Sequence, residues 1–343
     1  MILAADIGGT KTNVALFDWK DERVDPVLER TFFSRDYASF EEILKEFLTP
    51  VPPSSDSENV ETQPFPPIDI LCAGVAGPVV ANRCQTTNLP WIVDGADLSK
   101  QFGISTVKLI NDLEATAYGL LDLRPDEVEV LNVGAPPKQP TQKALIAAGT
   151  GLGEAILYWH HSHYHPLPSE GGHADFAPNT DTEIELLRYL RTNYLHVSWE
   201  RLLSGAGLHA IYEFLRDTKK NEPTWVAERL KVGDPAAVIS EIGLSRGAEI
   251  CVQTLDLFVA MYGAEAGNLA LKALSLSGLY IGGGIAPKLL PKLKEGGFLR
   301  GFTNKGRYKR LMSGIPVKVI VNPKAALIGA AAAGSRVLHG HFR

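Results

Sequence analysis

The sequence has few cysteines, no strongly basic stretch and no long apolar run. Its three cysteines, Cys72, Cys84 and Cys251, are scattered and odd in number, which fits a reducing cytoplasm better than a disulfide framework. Because the net charge is −5 and no basic patch stands out, nucleic acid is not an expected partner. The longest apolar run, 325–333, is too short to cross a bilayer. Met1 leads directly into an apolar strand pattern, so we expect no signal peptide, no membrane partner and a cytoplasmic location.

The length of 343 residues suggests two domains or one large domain. A hydrophobic fraction of 45% and a charged fraction of 21% are ordinary for a globular protein. The segment 49–67 is rich in proline, serine and acidic residues, and it is interpreted as a surface insertion. The histidines at 160–165 could bind a metal ion, but a solvated hairpin loop is the favoured interpretation, and no metal ligand is assigned.

One carboxylate, Asp112, stands where a buried strand pattern at 107–110 gives way to a helical pattern at 113–121. Asp is a preferred helix-capping residue, and taken alone this position favours a cap that accepts backbone N–H bonds. The alternative is a general base presented at a domain junction. Glycine-rich turns on both sides of Asp112 in the sequence favour the base.

Two hairpins with glycine at the tip are predicted, one over 2–17 and one over 143–159. Glycine lets backbone N–H groups approach an anion closely, and Thr10 and Lys11 add a hydroxyl and a positive charge. Asp6, at the end of the first strand, could hold Mg²⁺ through water. A single Gly-Gly-Thr turn could equally be a plain hairpin turn. Two such hairpins are more specific, because ATP needs its phosphates held from two sides, and they suggest two related halves.

A third glycine turn, 282–284, follows a predicted strand at 279–281. Its bare backbone could lie against an adenine ring and ribose, and a simple left-handed turn is an equal alternative.

A group of sugar-type ligands follows the second hairpin. Two glycines after Glu170 let this carboxylate and His173 turn toward one space, where they could bind neighbouring hydroxyls. The alternative is a capped turn with His173 packed internally. Glu200 is predicted at the start of a helix running to about 215, where it could instead stabilise the helix dipole. Asn88 lies in a polar loop that is either a surface turn or faces the sugar.

Together these motifs resemble the bacterial-type glucokinase family, within the hexokinase–actin–Hsp70 superfamily, over nearly the whole chain. The motifs are Asp6-Ile7-Gly8-Gly9-Thr10, Ile110-Asn111-Asp112, Gly149-Thr150-Gly151-Leu152-Gly153, the run 170–178, Glu200-Arg201-Leu202-Leu203-Ser204-Gly205 and Tyr280-Ile281-Gly282-Gly283-Gly284-Ile285. The related sugar kinases that include repressors (the ROK family) usually carry a zinc-binding cysteine cluster. No cysteine occurs between Cys84 and Cys251, so that site cannot be built here.

The resemblance implies an α/β protein with the two-domain actin-like ATPase (ribonuclease H-like) fold. It implies mixed sheets flanked by helices, with a ligand cleft between the domains. We expect a small domain of 1–122 plus 323–343 and a large domain of 123–322, with 49–67 as an insertion in the small domain. The sequence leaves the oligomeric state open, with a homodimer as one alternative.

The expected activity is that of a glucokinase, which transfers the γ-phosphoryl group of ATP to the 6-hydroxyl of glucose with Mg²⁺ as cofactor. Asp112 is expected to be the base. With Asn88 added from the polar loop, the expected glucose ligands are Asn88, Asn111, Asp112, Glu170, His173 and Glu200. The residues expected at the nucleotide are Asp6, Gly8, Gly9, Thr10, Lys11, Thr150, Gly151, Gly283 and Gly284. The alternatives are a kinase for another hexose, a conformational ATPase and a sugar-sensing protein without catalysis.

Overall fold

A computed structural model describes residues 1–19, 23–49, 66–219 and 221–340. Most of the insertion predicted at 49–67 therefore lies outside the described residues. The chain divides into two compact units, the first formed by Met1–Leu123 with Lys324–Arg343 and the second by Arg124–Pro323.

Strands and helices alternate along much of the chain. The strands are β1 Ile2–Ile7, β2 Lys11–Phe17, β3 Leu28–Phe33, β4 Ile70–Val75, β5 Val79–Val80, β6 Arg83–Gln85, β7 Ile92–Asp94, β8 Thr106–Asn111, β9 Val128–Asn132, β10 Lys143–Ala148, β11 Leu152–His160, β12 His163–Ser169, β13 Leu279–Gly282 and β14 Val317–Ile320. The α-helices are α1 Phe40–Leu48, α2 Gly95–Phe102, α3 Asp112–Gly119, α4 Asp181–Leu190, α5 Gly205–Lys219, α6 Thr224–Val232, α7 Pro235–Leu244, α8 Glu249–Ala273, α9 Leu290–Lys294, α10 Gly297–Thr303, α11 Lys309–Ser313 and α12 Ala325–Leu338. Within the described ranges, no helix is both long enough and apolar enough to span a membrane.

The first unit is built on a sheet with the strand order β3-β2-β1-β4-β8. A small second sheet, β5-β6-β7, is formed by the chain between β4 and β8. β1 lies antiparallel to β2 and parallel to β4, which is parallel to β8. Every residue of β4 is buried, as expected for a central strand covered on both faces. Because β1, β4 and β8 run in one direction, their carboxyl ends meet at one edge of the sheet. Asp6 and Asp112 lie at this edge.

Helix α12 covers one face of this sheet together with α3. The two helices touch backbone to backbone at two glycines. A Cβ atom on Gly119 would lie 1.9 Å from the Ala325 carbonyl oxygen, and one on Gly329 would lie 1.7 Å from the Ala115 carbonyl oxygen. Only glycine fits at these two positions while the helices keep their present separation.

The second unit is built on a sheet with the strand order β12-β11-β10-β13-β14-β9. The long helix α8 packs in its core. Gly263 and Gly267 let α10 approach α8 closely, because Cβ atoms there would lie 2.0 Å from the Phe298 carbonyl oxygen and 2.6 Å from that of Phe302. These two glycines, four residues apart, therefore serve helix packing.

The two sheets repeat one topology. In each unit three strands lie antiparallel to their neighbours and two more run parallel to the third, so β3-β2-β1-β4-β8 corresponds to β12-β11-β10-β13-β14. The two related halves predicted from the glycine hairpins are thus confirmed. The predicted fold class, mixed sheets flanked by helices in the actin-like ATPase fold, is confirmed as well.

Candidate active site

Asp112 is the first residue of α3, directly after β8. The helix cap is the preceding residue: the Asn111 Oδ1 atom accepts from the Leu113 N–H at 2.9 Å, and its Nδ2 donates to the Gly77 carbonyl oxygen at 3.0 Å. Asp112 Oδ1 also accepts from the Leu113 N–H at 2.9 Å. The interpretation of Asp112 as the cap is therefore wrong in detail, because Asn111 has the extended backbone of an N-cap residue and Asp112 is already helical.

Two carboxyl groups influence each other at this edge of the first sheet. Burial raises the pKa of Asp112, and hydrogen bonds from the Leu113 backbone and Asn111 oppose that rise. Burial also raises the pKa of Asp6 to about 6, with the charge of Asp112 as the next cause and the Asn13 amide opposing them. Asn13 Nδ2 lies 3.4 Å from Asp6 Oδ2. Two neighbouring carboxylates that disfavour each other's charge would be stabilised by a bound cation, and oxygen donors of this kind suit Mg²⁺.

The first glycine turn is held by its own backbone and by a serine that sequence analysis missed. The Gly8 N–H donates to the Lys11 carbonyl oxygen at 3.1 Å. Ser34 Oγ donates to the Gly8 carbonyl oxygen at 2.7 Å, and the Ser34 N–H donates to that of Thr10 at 3.0 Å. Ser34 is buried, but it carries no sequence signal because it belongs to a short 3-10 turn after β3.

Asn88 lies against the tip of this turn. A Cβ atom on Gly9 would be only 2.6 Å from the Asn88 Cβ atom, so a residue larger than glycine would displace the asparagine. The Asn88 Nδ2 atom donates to Thr87 Oγ1 at 3.3 Å. The polar loop predicted to face the sugar thus contacts the turn predicted to face the phosphates.

Glu200 lies against the second glycine turn. Its Oε2 atom accepts from the Leu152 N–H at 2.9 Å, and a Cβ atom on Gly151 would lie 2.5 Å from the same oxygen. The turn is closed by the Gly149 N–H, which donates to the Gly151 carbonyl oxygen at 2.8 Å. Thr150 lies between these two glycines. Glu200, which is predicted to bind the sugar, therefore lies beside Gly151, which is predicted to bind the nucleotide.

The structure corrects the local setting predicted for Glu200. It lies in a separate 3-10 turn, Trp199–Arg201, and α5 begins only at Gly205. The 3-10 turn and α5 are separate because Ser204 Oγ accepts from the Gly207 N–H at 3.1 Å, and this hydrogen bond caps α5 at its first turn. Glu200 therefore has no helix dipole of α5 to stabilise.

His173 approaches Glu200, with 3.9 Å between its Nε2 atom and Glu200 Oε1. It ends the 3-10 turn Gly171–His173, which begins directly after Glu170. The turn lies on β11, since a Cβ atom on Gly172 would be 2.1 Å from the Leu152 carbonyl oxygen. His173 is thus not packed internally, and its side chain is 59% exposed.

The third glycine turn adjoins the end of β10. Gly283 has a φ of +80°, and a Cβ atom there would lie 2.3 Å from the Ala148 carbonyl oxygen. The Ile285 N–H donates to the same oxygen at 3.2 Å. Gly284 has open space around its Cβ position. The left-handed turn considered in the sequence analysis is therefore present, next to the strand that precedes Thr150 and Gly151.

In the part of the chain that the structure describes, no group of three or more His, Cys, Asp or Glu side chains is arranged to hold a metal ion. The histidines at 160–165 lie on the β11–β12 hairpin, where the rings of His160 and His161 are 4.0 Å apart between centroids.

The repeated sheets and the three glycine turns define a protein of the actin-like ATPase class, to which sugar kinases belong. The family model described as Glucokinase matches residues 3–337. The glucokinase of Nostoc punctiforme is 41% identical, with 98% of this chain and 99% of the relative covered. The crystal structure of glucokinase from an Antarctic psychrotroph has a TM-score of 0.81 at 32% identity, covering 97% of this chain and 98% of that one. The chain belongs to the glucokinase family, and the resemblance predicted from its motifs is confirmed.

A more distant structure agrees in fold. The ROK family glucokinase from Streptomyces griseus, crystallised in complex with glucose and AMPPNP, has a TM-score of 0.60 at 20% identity. The match covers 98% of this chain and 99% of that chain.

Proposed function

We propose that the protein transfers the γ-phosphoryl group of ATP to the 6-hydroxyl of glucose, giving glucose 6-phosphate and ADP. As a member of the glucokinase family it is an ATP-dependent hexose kinase. The observation that carries the proposal is Asp112 at the carboxyl edge of the first sheet, where burial raises its pKa. A carboxylate with a raised pKa is a stronger base than an exposed one, as proton transfer from an alcohol requires.

Asp112 is proposed to accept the hydroxyl proton as the new O–P bond forms. General-base catalysis of this kind contributes about 10²- to 10⁴-fold in rate. The hydrogen bond from the Leu113 N–H to Oδ1 fixes the carboxylate on the first turn of α3. The Asn111 amide donates to Gly77 and to Asp112, and one lone pair of its Oδ1 atom caps the helix, so the second lone pair is left for a sugar hydroxyl.

Glucose is proposed to contact Asn88, Asn111 and Asp112, and also Glu170, His173 and Glu200. Glu200 is fixed by the Leu152 N–H through Oε2, while Oε1 faces His173. Side chains fixed in this way read hydroxyl positions, because a hexose with a hydroxyl missing or inverted leaves one of them unpaired. A site of this kind therefore discriminates between hexose epimers.

The nucleotide is proposed to lie against the glycine turns. The Gly8 N–H already serves the turn, so Gly9, Thr10 and Lys11 are the better phosphate donors of the first hairpin. In the second unit Thr150 and Gly151 are proposed at the phosphates, with Gly283 and Gly284 at the adenosine. Asp6 would hold Mg²⁺ through water, and the bound ion would neutralise charge on the β- and γ-phosphates.

We propose a cytoplasmic location because Cys72, Cys84 and Cys251 are all free and buried, which suits a reducing compartment.

The experiment compares Asp112→Asn with the unchanged protein in a coupled assay using ATP and a panel of hexoses. The asparagine keeps the size of the side chain and its hydrogen bond to the Leu113 N–H but cannot accept the proton. We expect kcat to fall about 10²- to 10⁴-fold while the dissociation constant for glucose changes only a few-fold. Turnover at the unchanged rate would remove Asp112 from its role. A preference for another hexose would show that the protein is a kinase for that sugar and not for glucose.

A further inference from the structure

Two buried carboxyl groups lie beneath the turn that carries Glu170 and His173. Glu154 on β11 is 2% exposed and Glu265 on α8 is fully buried, and the two carboxyl groups lie close enough for each to shift the pKa of the other. Neither Oε1 atom receives a hydrogen bond from any other group of the described chain. Because ionised carboxylates only accept hydrogen bonds, two of them can bond in a dry interior only by sharing a proton.

The surroundings decide which carboxyl group keeps that proton. Glu265 faces donors and cations: Asn268 Nδ2 donates to its Oε2 atom at 2.7 Å, and Lys272 Nζ lies 4.0 Å from its Oε1 atom. Lys305, bound to Asn268 Oδ1 at 2.7 Å, adds a second positive charge. Burial and the charge of Glu265 raise the pKa of Glu154 to about 8. Burial raises the pKa of Glu265 as well, but Asn268 and the two lysines oppose that rise, so the shared proton resides mainly on Glu154.

Glu154 directly supports the turn. A Cβ atom on Gly171 would lie 2.1 Å from Glu154 Oε2 and 3.2 Å from Ser169 Oγ. Ser169 pairs with Glu154 across β11 and β12, and its Oγ atom accepts from the Gly171 N–H at 3.0 Å. Tyr262 of α8 also lies near Glu154; burial and the charge of Glu154 raise the pKa of this tyrosine, and the Tyr262 hydroxyl accepts from the Ala148 N–H. The turn thus has no gap beneath it, and a movement of the Glu154 side chain moves Gly171.

We propose that the Glu154–Glu265 pair is a positioning device for the glucose-binding turn, and that loss of its shared proton displaces Glu170 and His173 from the sugar. Losing the proton to solvent would leave two like charges in contact in a dry site, and these must separate or take up water. Either response changes the surface on which Gly171 rests. The proposal depends on the roles given above to Glu170 and His173.

The test uses Glu154→Gln, which is uncharged at every pH and can still donate to Glu265. Initial rates are measured with glucose and ATP between about pH 6.5 and about pH 9.5. In the unchanged protein, glucose KM should rise about tenfold through about pH 8 while ATP KM stays level. In Glu154→Gln, glucose KM should be within about threefold of the neutral value throughout. Glu185→Gln, at an exposed position on α4, should keep the profile of the unchanged protein.

An alkaline rise that persists in Glu154→Gln would overturn the proposal, as would a level glucose KM in the unchanged protein. A second readout is independent of activity. Above about pH 8, amide hydrogen exchange of the 169–176 peptide at matched pH should be faster in the unchanged protein than in Glu154→Gln. Equal exchange would also count against the pair. If the protein failed to phosphorylate glucose but the exchange difference were present, the function would fail and the positioning role would stand.

Discussion

Replacing Gly151 with alanine should damage glucose binding rather than nucleotide binding, although the residue lies in a turn expected to hold phosphates. The new Cβ atom would lie 2.5 Å from Glu200 Oε2 and 3.3 Å from its Cδ atom. The carboxylate must retreat by roughly 0.9 Å to reach an ordinary contact of 3.4 Å. A displacement of this size breaks or badly distorts its 2.9 Å hydrogen bond from the Leu152 N–H.

The magnitude follows from the bond that is lost. A hydrogen bond to a charged group contributes about 1.5–3 kcal/mol, and each 1.4 kcal/mol is a factor of ten in binding. Glu200 also changes its position relative to His173, which now lies 3.9 Å away. We therefore expect the glucose KM of Gly151→Ala to rise roughly 10- to 100-fold, with an ATP KM within a few-fold of the unchanged protein.

The neighbouring Gly149 supplies a matched control. A Cβ atom there meets no other atom within 4 Å, so Gly149→Ala makes the same chemical change in the same turn without touching Glu200. Glucose KM and ATP KM are measured for both variants at one pH. The reasoning is refuted if the two variants behave alike, or if Gly151→Ala raises ATP KM and leaves glucose KM unchanged.

Two further predictions concern stability in the first unit. The pKa of Asp6 is raised from 3.8 to about 6, so its contribution to the free energy of unfolding is complete below about pH 4 and is lost as pH rises through about 6. In urea titrations without Mg²⁺, stability should drop between these limits by up to roughly 3 kcal/mol more than in Asp6→Asn, and parallel curves would contradict this. Gly329→Ala should cost roughly 3 kcal/mol or more by forcing α12 from α3, against about 1 kcal/mol for Ala326→Gly on the same helix, and equal losses would contradict the close contact.

Much of the fold could be predicted because local pattern and final burial agree. The predicted strands at 2–7 and 143–148 and the third one at 279–281 match β1, β10 and β13 to within a residue. These strands are apolar because both faces of each sheet are covered, and glycine turns bound them. Periodicity therefore carries the information that decides the structure in these segments.

The settings of single site residues could not be predicted in the same way. The sequence predicted Glu200 at the start of a helix. In the structure Ser204 caps α5, and Glu200 lies in the separate 3-10 turn Trp199–Arg201. The Glu154–Glu265 pair joins residues 111 positions apart in sequence, and nothing local distinguishes a buried Glu in a strand from an exposed one. Contacts of this kind depend on which strand and helix pack together, and hydrophobic pattern fixes that only for apolar faces.

The repeated topology explains why the chemistry could concentrate in particular loops. The strand ends that correspond in the two units carry different side chains: β8 ends in Asn111 and is followed by Asp112, whereas β14 is followed by 321–324, a segment without an acidic residue. Conversely, β10 and β1 both end in a glycine turn, and each turn touches one predicted sugar ligand, Glu200 in one unit and Asn88 in the other. A parallel strand fixes where its carboxyl end lies but leaves the next residues free to vary. Each half can therefore keep the same sheet and the same glycine-tipped turn, while the first unit alone carries the proposed base, Asp112.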